Sequence, residues 1–179
     1  LLPHVLKFAI PVALSNLIQL LFNAADLIVL GRFCGPECVA AVGSTSSICA
    51  LFINFFIGLS QGSGIVVANK LGAKDDEQVS KTVHTAIPVA LLGGILISVI
   101  GLLFSRPVLQ MMDNPAETID LATLYMKIYL CGSIPNLVYN FGAAILRSDG
   151  ESKKPMTFIT ISGFLNIVLN IILFHFFFK

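Results

Sequence analysis

Amide side chains and one carboxylate recur near the N-terminus at spacings of three and four residues. Asn16, Gln19, Asn23 and Asp26 fall within roughly a quarter of the circumference of a helix, which advances about 100° per residue. Asp26 is the only charged residue among positions 8–31. Because an ionised carboxylate deep in a membrane costs about 2.5 to 3.5 kcal/mol, we expect Asp26 to face the interior of a helix bundle or water. Its chemistry would be reversible binding of a proton or of a hard cation such as Na⁺.

Two later segments carry polar faces of the same kind. The spacing is again three or four residues, in Ser133, Asn136 and Asn140 and in Ser162, Asn166 and Asn170. A single amide can simply join neighbouring helices by a hydrogen bond. Three such faces together with one carboxylate favour an aqueous cavity that binds a cation or a polar solute. The residues alone do not choose between H⁺ and Na⁺.

The composition indicates the elements that hold these faces. Of the 179 residues, 56% are hydrophobic and 12% are charged, which disfavours a soluble enzyme. Five charge-free stretches of 18 to 32 residues match the roughly 20 apolar residues that a membrane helix needs. We predict an all-α, polytopic membrane helix bundle with five transmembrane helices, at about 5–30, 39–69, 82–104, 119–146 and 156–178.

The basic residues indicate the orientation of the bundle. One predicted side collects seven Lys and Arg residues and the other side collects four. Since positive charge accumulates on the cytoplasmic side, we expect a cytoplasmic N-terminus and a chain that stops outside. The seven are Lys7, Lys70, Lys74, Lys81, Arg147, Lys153 and Lys154, and the four are Arg32, Arg106, Lys127 and Lys179.

The predicted connections allow several interpretations. The acidic and basic loop 74–81 is either a solvated tether or a gate on the cytoplasmic side. Residues 106–115 form a second connection, with a short interfacial turn in it. We interpret the four cysteines as small apolar side chains, and the alternative is a disulfide between Cys34 and Cys38 on the outer side.

Several functions are disfavoured. The net charge of +1 does not indicate nucleic-acid binding. The three histidines lie far apart, so no metal site is expected. No nucleophile and base pair and no P-loop motif occur, so we expect neither an enzyme nor a user of ATP. We expect no cofactor apart from H⁺ or Na⁺ as a coupling ion.

The sequence resembles the N-terminal part of the multidrug and toxic compound extrusion (MATE) transporters, and the resemblance covers essentially the whole chain. The matching segments are Pro11, residues 23–26 with Gly31 and Arg32, residues 40–43, 58–64 and 71–74, Asn140, residues 146–147 and 150–155, and residues 166–170.

The resemblance implies two pseudo-symmetric lobes of six helices that export cationic or amphipathic compounds in exchange for H⁺ or Na⁺. The chain would be the first five helices of the N-terminal lobe, residues 1–179, in a prokaryotic inner membrane. We assign one group of residues to ion coupling, which is centred on Asp26, and a second group to a substrate cavity. Two prolines are assigned as hinges. The ion-coupling residues are Asp26, Asn140, Asn166 and Asn170, the cavity residues are Gln19, Asn23 and Asn136, and the hinges are Pro11 and Pro135.

Two departures from the family pattern affect this interpretation. Many relatives have aspartate where Asn170 stands, so we expect a single ion centred on Asp26. The sixth helix and second lobe are missing, so the chain is a fragment, a truncated product or a half-transporter, of which we favour the fragment. Partners would be membrane lipid, the second lobe and a small cationic or amphipathic substrate. The alternative functions are a flippase for lipid-linked oligosaccharides and a membrane module that transports nothing.

Overall fold

Six α-helices make up the part of the chain that the computed structural model describes, which is residues 2–177, with side chains for residue 6 and residues 8–173. No strand occurs among the described residues. The helices are α1 (Leu2–Phe33), α2 (Pro36–Gly72), α3 (Asp76–Met111), α4 (Ile119–Cys131), α5 (Ser133–Ser148) and α6 (Lys153–Phe177). The all-α prediction is therefore confirmed, with six helices in place of five.

The helices form two compact units, whose divisions fall after residues 39 and 149. The first unit contains α1, the beginning of α2 and α6. In it, the ring of Phe22 packs on the backbone of Gly163, and Asp26 is hydrogen-bonded to Asn170. Since both contacts advance in the same direction along the two helices, α1 and α6 run parallel.

The second unit contains the rest of α2 with α3, α4 and α5. Glycines on α3 allow its close packing: a Cβ atom at Gly94 would lie 2.6 Å from the Cα of Ile134, and one at Gly101 would lie 2.6 Å from the Cβ of Leu130. The core of this unit includes fully buried Ile97, Leu109, Met126, Leu130 and Leu137. Small residues on α3 thus let α4 and α5 approach its backbone.

The predicted fourth helix, 119–146, is wrong as a single element because it breaks at Gly132. Pro135 lacks the amide that would donate to the carbonyl of Cys131, so the helix ladder is interrupted there. At the break, the hydroxyls of Ser98 and Ser133 both donate to the carbonyl of Leu130. Ser133 lies 2.6 Å from the carbonyl oxygen of Leu130, and Ser98 lies 3.0 Å from the same atom.

The predicted third helix, 82–104, is too short at both ends. Asp75 caps α3 by accepting a 3.2 Å hydrogen bond from the backbone of Gln78, so most of the predicted loop 74–81 is helix. At the other end, α3 continues through Pro107 to Met111, where a connection was expected. Ser105 and Leu109 are fully buried in this last part, so packing holds the helix past the proline.

The turn between α1 and α2 contains a disulfide, which corrects our interpretation of all four cysteines as apolar side chains. Cys34 and Cys38 are joined, with their Cα atoms 5.9 Å apart, a separation typical of disulfides. Gly35 has a φ of 91°, which allows the tight reversal. Of the other cysteines, Cys49 is buried and Cys131 is exposed.

Four helices are long and apolar enough to cross a membrane: α1 from Phe8, α2, α3, and α6 to Leu173. Their outward side chains are largely apolar, and Leu20, Leu51, Leu92 and Phe164 are each at least 65% exposed. Such surfaces suit lipid rather than water. α4 and α5 have 13 and 16 residues and are individually too short by this measure.

Candidate cation site between α1 and α6

The site is built on matching faces of two parallel helices. Phe22 and Asp26 are four residues apart and therefore lie on one face of α1. Asn166 and Asn170 are likewise four residues apart on α6. Contact between these two faces brings the carboxylate of Asp26 against both amides.

Asp26 accepts hydrogen bonds from α6. The Nδ2 atom of Asn170 donates to Oδ1 of Asp26 at 2.8 Å. When Asn166 turns its amide nitrogen toward the carboxylate, that nitrogen lies 2.8 Å from Oδ1 and 3.2 Å from Oδ2 of Asp26. Hydrogen bonds to a charged group contribute about 1.5 to 3 kcal/mol each, so two of them offset a cost of about 2.5 to 3.5 kcal/mol for a carboxylate in the membrane.

The carboxylate has no ionic partner within the described part of the chain, where the three salt bridges all lie elsewhere. Asp26 is half-buried, as is Asn170, while Asn166 is exposed. Because its partners are neutral amides, the negative charge of Asp26 is not compensated. The exposed side chain of Asn166 leaves the carboxylate accessible from that side. The arrangement can therefore accept a proton or a small cation.

The amide of Asn166 can serve either state of Asp26. With its nitrogen toward Asp26 it donates to the ionised carboxylate, as above. With its oxygen there, it accepts from a protonated carboxyl or contributes an oxygen ligand to a shared cation. Rotation about one side-chain bond is enough to convert the site.

The structure brings together three of the four predicted ion-coupling residues: Asp26, Asn166 and Asn170. The fourth, Asn140, lies on α5 in the second unit, where its Nδ2 atom donates to Asn136 at 2.6 Å (Oδ1) and 2.8 Å (backbone oxygen). The assignment of Asn140 to ion coupling and of Asn136 to the cavity stays a prediction.

The remaining predicted site residues have simple placements. Gln19 and Asn23 are exposed on α1. Pro11 lies inside α1, which continues through it, and the hydroxyl of Ser15 donates to its carbonyl at 2.7 Å. Pro135 lies in the first turn of α5, where its missing amide is tolerated, rather than inside a longer helix as we expected. Neither placement tests a hinge.

One polar face was interpreted wrongly and one contact was missed. Ser133 is fully buried, and its hydroxyl donates within the α3 to α5 packing, so it does not line a polar face with Asn140. Sequence reasoning also missed Phe22 and Gly163, which pack between α1 and α6. The available signal was the spacing: Gly163 precedes Asn166 by three residues, and Phe22 precedes Asp26 by four.

Comparison with known proteins identifies a family. The family model described as MatE matches residues 11–172. The probable multidrug resistance protein YoeA of Bacillus subtilis is 32% identical over 162 residues, which are 90% of this chain and 35% of that protein. The probable multidrug resistance protein NorM of Thermotoga maritima is 26% identical over 168 residues, which are 93% of this chain and 36% of that protein. The chain spans about a third of the length of these relatives.

Solved structures match the fold as well. A MOP superfamily transporter from Pyrococcus furiosus, described as having a binding pocket of reverse polarity that suggests a different function, has a TM-score of 0.87 at 28% identity and covers 93% of this chain. A MATE protein in a straight conformation has a TM-score of 0.86 at 29% identity, and one in a bent conformation has a TM-score of 0.86 at 28% identity. The chain covers 37% of each of these structures.

Proposed function

The chain belongs to the MatE family, and we propose that it forms part of the N-terminal lobe of a secondary-active exporter. The complete protein would exchange H⁺ or Na⁺ for cationic or amphipathic compounds. The names of the relatives, multidrug resistance proteins of two bacteria, support this substrate class. Its location would be a prokaryotic inner membrane, and the second lobe would complete the substrate path.

One observation supports ion coupling at Asp26: the carboxylate is met by two neutral amides and has no ionic partner in the described residues. A salt bridge at this depth would hold the charge permanently compensated. Amides instead stabilise the ionised form and still release it to an incoming cation. A coupling site must load and unload, and a neutral partner permits both.

In the coupling step, the Asn166 atom that faces Asp26 would change from the amide nitrogen to the amide oxygen. A proton or Na⁺ that enters from outside neutralises the carboxylate, and Asn166 then turns its oxygen toward it. Neutralisation weakens the hydrogen bond from Asn170 and removes the one from Asn166, and α1 can then shift relative to α6. Two solved MATE structures in straight and bent conformations make such a shift reasonable for this fold.

The parallel arrangement of α1 and α6 supports the predicted membrane topology. Helices that run in the same direction across a membrane are separated by an odd number of crossings. α2 and α3 supply two crossings, so the third must come from α4 and α5 together. With the excess of Lys and Arg on one side, we infer five crossings and a cytoplasmic N-terminus.

The test is cation-driven efflux by the complete protein in proteoliposomes, with ethidium as the substrate and with either an H⁺ or an Na⁺ gradient. Asp26→Asn keeps the shape of the side chain and removes its charge, so we expect the exchange to fall to the background level. The matched control is Asp113→Asn, because Asp113 is exposed, lies outside the membrane helices and has a φ of 52°, which asparagine tolerates well.

Unchanged exchange in Asp26→Asn would reject the coupling role. Loss of exchange in both variants would indicate general damage, and the coupling role would then lack its support. Vesicles that contain a fluorescent lipid-linked oligosaccharide test the flippase alternative in the same preparation. Flipping without ethidium exchange would overturn the proposed substrate class.

A further inference from the structure

The ring of Phe22 on α1 lies directly against the backbone of Gly163 on α6. A Cβ atom built at position 163 would overlap Cδ2 and Cε2 of this ring and would lie 2.6 Å from its Cγ. Cβ atoms essentially never approach another heavy atom within 3.0 Å, so any larger residue must displace the ring or the helix. This contact therefore sets how closely α1 and α6 approach.

The contact lies on the same helix faces as the cation site. Phe22 precedes Asp26 by one helical turn, and Gly163 precedes Asn166 by slightly less than one turn. A change in helix separation at Gly163 therefore also changes the distance between Asp26 and the amides of α6, about 5 Å farther along the helix axis. Among the described glycines, Gly163 is the one whose added Cβ atom would come closest to a neighbouring atom.

We propose that Gly163 and Phe22 are positioning residues for the cation site, an inference that rests on the proposed function. The bare backbone of Gly163 lets α6 approach until Asn170 lies 2.8 Å from Asp26. A separation larger by about 1 Å would lengthen this hydrogen bond beyond the distance at which it still contributes. The ring and the glycine thus determine whether the amides reach the carboxylate.

The experiment is a size exchange in the complete protein. Gly163→Ala adds one methyl group, and the double variant Phe22→Ala with Gly163→Ala removes the ring that this methyl group would meet. Gly58→Ala is the matched control, because a Cβ atom there meets nothing within 4 Å. The quantity measured is the cation concentration that gives half-maximal ethidium exchange. The cation used is whichever of H⁺ and Na⁺ loses its effect in Asp26→Asn.

We expect Gly163→Ala to lower the half-maximal concentration about tenfold, because the ionised, unloaded carboxylate then loses one hydrogen bond that stabilises it. The double variant should return to within about threefold of the unmodified protein, and Gly58→Ala should not change. A purely structural role would lower the amount of folded protein or the maximal rate without this shift and its rescue. If Gly163→Ala does not fold, the double variant decides the matter on its own.

Two results would overturn the positioning role. One is a normal half-maximal concentration in folded Gly163→Ala, and the other is a folded double variant whose half-maximal concentration stays lowered. Both are distinguishable from failure of the proposed function. Unchanged exchange in Asp26→Asn removes the site itself, whereas loss of exchange in Asp26→Asn with normal Gly163→Ala removes only the positioning role.

Discussion

Asn170 donates a 2.8 Å hydrogen bond to Asp26 across 144 residues of sequence. This bond joins the two ends of the chain, because α1 and α6 form one compact unit although four helices separate them in sequence. Asn170 is neutral, so the site carries one negative charge, and one monovalent cation is enough to neutralise it. The stoichiometry of coupling would follow from this single amide.

Replacement of Asn170 by aspartate is the first prediction. A second carboxylate beside Asp26 brings two negative charges within a few ångströms, and their repulsion favours a bound cation. We expect Asn170→Asp to lower the half-maximal cation concentration by more than about tenfold. Asn170→Ala should lower it by up to about tenfold, because the ionised carboxylate then loses a hydrogen bond. The measurement is the same exchange assay, with Asn69→Asp on exposed Asn69 as the charge control. Weaker cation dependence in Asn170→Asp would contradict the single-charge site.

Substitution of Gly94 is the second prediction, and it concerns stability. A Cβ atom there would lie 2.6 Å from the Cα of Ile134, and backbone cannot rotate away as a side chain can. We expect Gly94→Ala to destabilise the protein by about 1 to 3 kcal/mol, measured by thermal unfolding in detergent. Gly142→Ala should be neutral or stabilising by up to about 1 kcal/mol, because its Cβ atom meets nothing within 4 Å. Equal melting temperatures for the two variants would disprove this packing.

The buried serines at the break between α4 and α5 give the third prediction. Ser98 and Ser133 lie 3.3 Å apart and share the carbonyls of Gly94 and Leu130. We expect Ser98→Ala and Ser133→Ala each to cost about 1 kcal/mol, since the other serine can still donate to one carbonyl. The double variant should cost more than the sum, because the carbonyl of Leu130 at the break then loses both of its hydroxyl donors. Additive losses in the unfolding measurement would show that the two hydroxyls act independently.

The disulfide in the turn between α1 and α2 gives the fourth prediction. With Cys34 and Cys38 joined, a membrane-impermeant maleimide should not label intact cells until a reductant is added. Cys34→Ser leaves one free thiol in the turn and should be labelled without reductant. Both experiments use a background in which Cys49 and Cys131 are serine. Labelling of Cys34→Ser only after the cells are opened would place this turn inside and reverse the proposed topology.

Sequence periodicity predicted the faces of the cation site but not the pairing of the helices. The four-residue spacing of Asn166 and Asn170 placed both amides on one side of α6, and the structure confirms this. The same reasoning grouped them with Asn140, which lies on α5 in the other compact unit and donates to Asn136 there. Periodicity reports which side of a helix a residue occupies, whereas the partner helix is decided by packing such as that of Phe22 on Gly163.

Proline shows the same limit for helix boundaries. Pro107 and Pro135 give the same local signal, yet α3 continues through Pro107 and the predicted fourth helix breaks before Pro135. The difference is tertiary. Fully buried Leu109 keeps the end of α3 helical, whereas hydroxyl groups from α3 and α5 donate to the carbonyl of Leu130 at the break. The sequence alone does not show that these tertiary contacts form.

The long separation between Asp26 and Asn170 also has a consequence for biogenesis. Ribosomes add about 5 to 20 residues per second, so the partner of Asp26 is made on the order of 10 s after Asp26 itself. For that interval, α1 resides in the bilayer without the amides of α6, and its carboxylate depends on protons or on water for stabilisation. The pairing of α1 with α6 can therefore form only after α6 has been made, and a ribosome that stalls before α6 leaves a polar helix without its partner in the membrane.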